Sequence, residues 1–395
     1  MTYPHGTGPS RTAAPTELEP VRQVLDGWEA SGRVPGYVAA IRVGGRTTLL
    51  AGGRRALGPD APPMSPDTLF RIASLTKTMG GALVLSLVRD GVITLDAPID
   101  RWLPEAAAPR VLIDPTGLLD GTVAAERPIT VRDLLTFTCG WGVVIAPSPL
   151  QDEMFARGVF PGAVPPPLPT DEFVARVTGL PLAFQPGHGW LYDTGMDLLG
   201  VLVARATGMP LSQLLRERVT GPLGMSSTAF WTADTSRLST AYRPGPDGLE
   251  VLDPPDGAFA APPAMEHLSA GLVSTAGDVL RFFTAMADGG APVLTPDEVA
   301  QLSSPALTDE QYRAGAPIIG GGLSWGLGTG VDVEATRPWM APGRWGWTGG
   351  TGTTAHVDPV RGVVAVLLTA RMMAGAHDGP EDFWTAVAAS ARVEP

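Results

Sequence analysis

The sequence predicts an α/β fold of the α+β kind, a sheet assembled from both termini with a mostly helical domain inserted between them. Strand signals gather at the two ends of the 395-residue chain, while the middle is helical and loop-rich. Where the two parts meet, Ser74-Leu75-Thr76-Lys77 heads a long apolar run and places a hydroxyl and an amine on one helix face. These observations set the expected organisation. Residues 1–15 form a disordered lead, 16–73 and 265–395 an α/β domain, and 74–264 a mostly helical domain, with the active site in a cleft at their junction.

The elements follow in order. Glu17 to Ala30 predicts a helix, and Tyr37 to Val43 with Thr47 to Leu50, joined through Gly44-Gly45-Arg46, predict a hairpin. Met79 to Val88 continues the helix begun near Ser74 and closes at Asp90-Gly91. Val131 to Leu135, Thr170 to Val177, Met196 to Ala206 and Leu211 to Val219 read as helices, the last two separated by Gly208-Met209-Pro210. Val159 to Pro169 is too proline-rich for helix or central strand and reads as a stiff loop, either a lid or a surface excursion. Thr353 to His356 and Gly362 to Ala370 predict strands, and Glu381 to Ala391 a closing helix.

Composition narrows the function. A hydrophobic content of 44% allows a sizeable core, and a net charge of −12 with no basic cluster argues against nucleic acid or an anionic membrane as partner. Small neutral molecules fit better, and oligomeric state stays open. The single cysteine, Cys139, excludes an internal disulfide, and no basic-apolar leader opens the chain, so a cytoplasmic location is expected. Histidine and cysteine spacing suggests no metal, and no cofactor is expected.

The chemistry centres on Ser74. A serine alone is a weak nucleophile, but Lys77, three residues along a buried helix, can reach its hydroxyl and hold or accept its proton. The helix N-terminus favours developing negative charge, so the Ser74 N–H is a candidate oxyanion donor. Tyr192 lies in a turn before a helix, where a phenol beside an ammonium can relay protons; a plain core tyrosine is the alternative. Trp345-Gly346-Trp347-Thr348-Gly349-Gly350-Thr351-Gly352 is dense enough in glycine for backbone to approach a ligand, with Gly350 N–H as a second oxyanion donor, or is simply a tight turn.

These motifs, in this order, resemble the serine β-lactamase and penicillin-binding-protein superfamily, and within it family VIII carboxylesterases and class C β-lactamases. Ile129 to Thr136, Gly221 to Met225 and Ser269 to Ala276 add to the resemblance, which runs from about Glu17 to Ala391. It implies an antiparallel sheet flanked by helices, Ser74 as the acylated nucleophile, Lys77 as its activator, Tyr192 as base, and Ser74 and Gly350 N–H as oxyanion hole, with Trp347, Thr348 and Gly349 at the substrate. Two departures matter. Trp347 stands where β-lactamases and DD-peptidases usually carry Lys or His, and Tyr192-Asp193-Thr194 replaces Tyr-x-Asn. Both remove groups that engage a charged amide, so neutral short or medium acyl esters become the expected substrates. Trp141, Phe160 and Trp345 are expected to join Trp347 in an apolar acyl pocket.

Three other readings compete. A β-lactamase, DD-peptidase, amidase or acyltransferase would use the same acyl-enzyme, and a non-catalytic binding protein could reuse the scaffold. Gly322-Leu323-Ser324-Trp325-Gly326 matches the G-x-S-x-G elbow, with Asp332, His356 and His377 following, but the glycine-rich stretch after it does not suit the helix an elbow needs.

Overall fold

The computed structural model describes residues 18–375 and 378–391; the 1–15 lead and His377 lie outside them. Seven strands form one antiparallel sheet: β1 (Gly36–Val43), β2 (Arg46–Gly53), β3 (Leu323–Trp325), β4 (Gly330–Asp332), β5 (Trp345–Gly349), β6 (Thr353–Asp358) and β7 (Val363–Thr369). Their spatial order is β2-β1-β7-β6-β5-β4-β3. The sheet thus draws on both ends of the chain, as the strand signals predict.

Each face of the sheet is covered over its central strands, where β1, β6 and β7 bury both sets of alternate residues. Ala39, Ile41, Ala365 and Leu367 pack against helix α1 (Glu19–Ala30), whereas Val38, Ala40, Val364 and Val366 belong to the larger core on the other side. That larger core contains helix α2 (Leu75–Arg89), in which every residue from Leu75 to Leu87 is buried. A surface helix has one apolar stripe; α2 is apolar all round because it runs through the middle of the molecule. Helix α3 (Val131–Thr136) starts at a capping box in which Thr130 and Asp133 bond each other's backbone N–H. Helix α4 (Thr194–Thr207) ends at left-handed Gly208, and α5 (Ala276–Ala287) lies against the sheet, capped by Thr275. Helix α6 (Asp309–Ile319) packs near β3, and α7 (Glu381–Ser390) joins α1 on the outer face.

Some expectations differ in detail. The helix expected over Leu211 to Val219 is α-helical only to Leu215 and then widens into a π turn over Arg216–Thr220. Trp345–Gly349 is itself a strand, and only 350–352 make the turn into β6. Two ribbons, Arg110–Leu112 with Thr122–Ala124 and Ala241–Gly245 with Gly248–Asp253, interrupt the helical stretch. Among the described residues no single helix is long and apolar enough to cross a membrane.

Candidate active site

Ser74 occupies the N-cap of α2, and the residue before it, Ala73, has φ +45. A left-handed non-glycine residue is strained and persists only where the surroundings enforce it. Here they do. Thr351 Oγ1 donates to Arg71 O at 2.7 Å and Thr353 Oγ1 to Ile72 O at 2.9 Å, stitching the β5–β6 hairpin to the segment before Ser74. Arg71 is itself anchored, its Nε donating to the buried carboxylate of Asp253 at 2.6 Å. Gly349 permits the approach: a Cβ there would collide with Thr353 Oγ1 and sit 2.8 Å from Ile72 O.

Lys77 is fully buried, and its Nζ donates to Ser74 Oγ at 2.9 Å, to Ser269 O at 2.6 Å and to Asp193 Oδ1. The amine also lies 4.4 Å from the centre of the Tyr192 ring. Tyr192 lines the same cleft as Ser74 and accepts from Trp347 Nε1 at 2.5 Å. Its ring sits in an aromatic box: Phe137 at 5.2 Å, Trp190 at 5.7 Å, Trp325 at 5.8 Å and Trp347 at 5.9 Å between centroids. Serine, lysine and tyrosine are therefore brought together with the phenol held in one orientation.

The electrostatics follow from burial and pairing. Burial works against the Lys77 ammonium, but Asp193, then Tyr192 and Asp197, outweigh it, and the net direction is upward. Burial raises the Tyr192 phenol; Lys77 opposes this, and the nearby Ser74 hydroxyl and the Trp347 hydrogen bond oppose it further without reversing it. Burial likewise raises the Asp193 carboxyl, with Lys77 pulling it down.

Ser74, Tyr192, Trp347, Thr348 and Gly350 line one cleft of about 550 Å³, whose far walls include Ile318, Ile319, Trp339, Met340, Met372 and Met373. Gly350 is fixed there by its carbonyl, which accepts from Met373 N–H at 2.8 Å. Neither Ser74 nor Gly350 N–H has an acceptor among the described residues, so both donors are free for a ligand oxygen. Gly349 abuts the nucleophile segment as described, and Thr348 Oγ1 bonds Thr354 Oγ1 at 3.0 Å.

Three expected pocket residues lie elsewhere. Trp141 donates its Nε1 to Leu180 O at 3.1 Å and borders a separate small cavity. Phe160 stacks on Phe155 at 4.1 Å, and Trp345 packs on Phe283 at 5.7 Å beside another hollow. Of the four aromatic residues expected in an acyl pocket, only Trp347 faces the Ser74 cleft; the remaining apolar wall comes from residues sequence reading did not select. The competing elbow is absent in form: Ser324 lies on β3, which turns back into β4 without a helix, Asp332 pairs with Arg344, and His356 Nδ1 meets Thr354 Oγ1. Asp193 was noted in the sequence only as a departure; an acidic residue beside the tyrosine in an otherwise apolar frame was the available signal.

The Beta-lactamase family profile matches residues 21–389. Protein Rv1367c of Mycobacterium tuberculosis is 39% identical over 322 residues, 78% of each chain. Esterase EstB of Burkholderia gladioli is 34% identical over 328 residues, again 78% of each chain. Among solved structures, EstCE1, described as a hydrolase with promiscuous acyltransferase activity, superposes with TM-score 0.81 at 25% identity, covering 94% of this chain and 98% of that one. With a family match over nearly its whole length and a serine, lysine and tyrosine assembled at one cleft, the chain belongs to the Beta-lactamase family, in the serine β-lactamase and penicillin-binding-protein superfamily.

Proposed function

We propose that this protein is a serine carboxylesterase that hydrolyses short or medium acyl esters through an acyl-Ser74 intermediate. The observation that carries the reading is the Ser74 hydroxyl, which accepts from Lys77 Nζ, shares a cleft with Tyr192 and opens onto a mostly apolar wall. Ser74 Oγ attacks the ester carbonyl, its proton passes to the Lys77–Tyr192 pair, and Ser74 and Gly350 N–H receive the oxyanion. The same proton then goes to the departing alkoxide; in deacylation Tyr192 takes a proton from the attacking water and returns it to Ser74 Oγ as the acyl–oxygen bond breaks and the acid leaves. Trp347 presents indole where a cation would hold the carboxylate of a β-lactam, which favours neutral esters. The esterase relative EstB supports this class.

Acyl transfer to an alcohol is the second reading, favoured by a cleft of about 550 Å³, larger than a short acyl group fills, and by the transferase activity described for EstCE1. Both share the acyl-enzyme. The test compares p-nitrophenyl butyrate with a chromogenic cephalosporin for wild type and Ser74→Ala, with and without added alcohol. Fast ester turnover, slow cephalosporin turnover and loss of both in Ser74→Ala are expected; a cephalosporin preference or an active Ser74→Ala refutes the reading.

A further inference from the structure

The partners of Lys77 are unequal in kind. Asp193 and the Ser269 carbonyl only accept hydrogen bonds, whereas the Ser74 hydroxyl both accepts and donates. An ammonium therefore satisfies all three with its three N–H groups. Once it has lost a proton, the amine keeps its two N–H bonds to Asp193 and Ser269, and its lone pair is left facing Ser74 Oγ. Asp193 is buried and held at φ +90, a conformation that turns the residue after Tyr192 back toward the lysine.

We infer that Asp193 is a positioning residue that aims the Lys77 amine at Ser74 and, by its charge, sets the pH above which the Lys77–Tyr192 pair can take the Ser74 proton. The inference rests on the esterase reading of this site. In the acylation step the Ser74 Oγ–carbonyl carbon bond forms and the carbonyl π pair moves to oxygen. The Ser74 proton goes to the deprotonated pair and from there to the alkoxide as the ester C–O bond breaks. A carboxylate beside the pair holds a proton on it and so postpones that step to higher pH. Lys77 and Tyr192 act as one coupled unit, so the charge acts on their shared titration.

Other titratable groups face the same position. Asp197 and His267 lie near enough to influence Asp193, and Asp197 is held by Ser269 N–H at 3.2 Å and by His267 Nδ1 at 3.3 Å. These stay in place when Asp193 alone is changed.

Asp193→Asn keeps the size and the acceptor oxygen, removes the charge, and tolerates positive φ. The readout is the rate of Ser74 labelling by a fluorophosphonate from pH 5 to 10, which reports acylation alone. The acid limb of the profile is expected to move down by about 1–3 pH units, the range a close opposite charge produces, so that Asp193→Asn is labelled faster than wild type at pH 6. A limb that stays or moves up overturns the inference, whatever happens to the plateau. Should Asp193→Asn fail to fold, Asp193→Gly, which relieves the positive φ, carries the same expectation. Labelling that persists in Ser74→Ala overturns the esterase reading instead, which keeps the two failures apart.

Discussion

Replacing Trp347 by Phe removes one N–H from the tyrosine while leaving an aromatic ring in the cleft wall. The indole Nε1 donates to Tyr192 Oη at 2.5 Å and is one of the interactions drawing the phenol pKa down against burial. A hydrogen bond to a charged oxygen contributes about 1.5–3 kcal/mol, and each 1.36 kcal/mol is about tenfold in rate. If Tyr192 bears negative charge as it takes the Ser74 proton, kcat for p-nitrophenyl butyrate falls about 10- to 100-fold. The sign in pH is also fixed: losing a bond that lowers the phenol pKa raises it, so the acid limb of kcat moves up by about 1–2 units. KM changes little, because the ring against Trp325 at 4.8 Å is largely kept. The assay is steady-state kinetics from pH 5 to 10, with thermal unfolding as a control on packing. Unchanged kcat and an unmoved limb, with only a lower melting temperature, would show that Trp347 merely packs and that Tyr192 carries no charge in the step.

Gly349→Ala forces a Cβ to within 2.8 Å of Ile72 O and 3.2 Å of Ala73 Cβ, pushing the hairpin from the nucleophile; kcat is expected to drop at least about tenfold, since small misplacements of reacting groups are costly, and wild-type kcat would refute the close-approach argument. Burial, against the pull of Arg344, pushes the Asp332 carboxyl up to about 6. The folded state then binds a proton that the unfolded state has lost, so this group's contribution to stability falls as pH rises from about 4 to 6, by about 3 kcal/mol in all. Asp332→Asn is expected to flatten the change in melting temperature between pH 4.5 and 6.5, and an equal change in both proteins would rule this out.

How much was legible in the sequence depended on whether the signal was local. Ser74 and Lys77 were readable because i and i+3 on a helix must share a face. The hairpin of β1 and β2 announced itself through Gly44-Gly45, but β3 and β4, three residues each, are too short to show a period. The aromatic residues show what stayed hidden. Trp345 and Trp347 are two apart on one strand and so share its face, yet only Trp347 lies near enough to the turn to meet Tyr192, while Trp345 reaches Phe283. Composition says that an aromatic residue is buried; only the assembled sheet says against what. Asp193 was hidden for another reason, since its reach to Lys77 depends on a positive φ that no sequence period announces.

Two of the three non-glycine residues with positive φ among the described residues explain how such distant segments meet. Ala73 precedes the nucleophile and Asp193 follows the tyrosine, each left-handed in φ without being glycine. Such conformations cost about 1–3 kcal/mol apiece, which a chain recovers only if surrounding contacts leave no alternative. Around Ala73 those contacts are the Thr351 and Thr353 hydroxyls and the Arg71–Asp253 pair; around Asp193 they are Lys77 and the aromatic box. Both sets converge from elements far apart in the chain, so the nucleophile and the base are set against each other by the whole fold. Relaxing either residue would stabilise its own loop and at the same time move Ser74 or Tyr192 from its place. The third, Phe137, packs on the Tyr192 ring at 5.2 Å, so among the described residues the strain gathers beside the reacting groups, as a site built to hold Ser74 Oγ between an amine and a phenol requires.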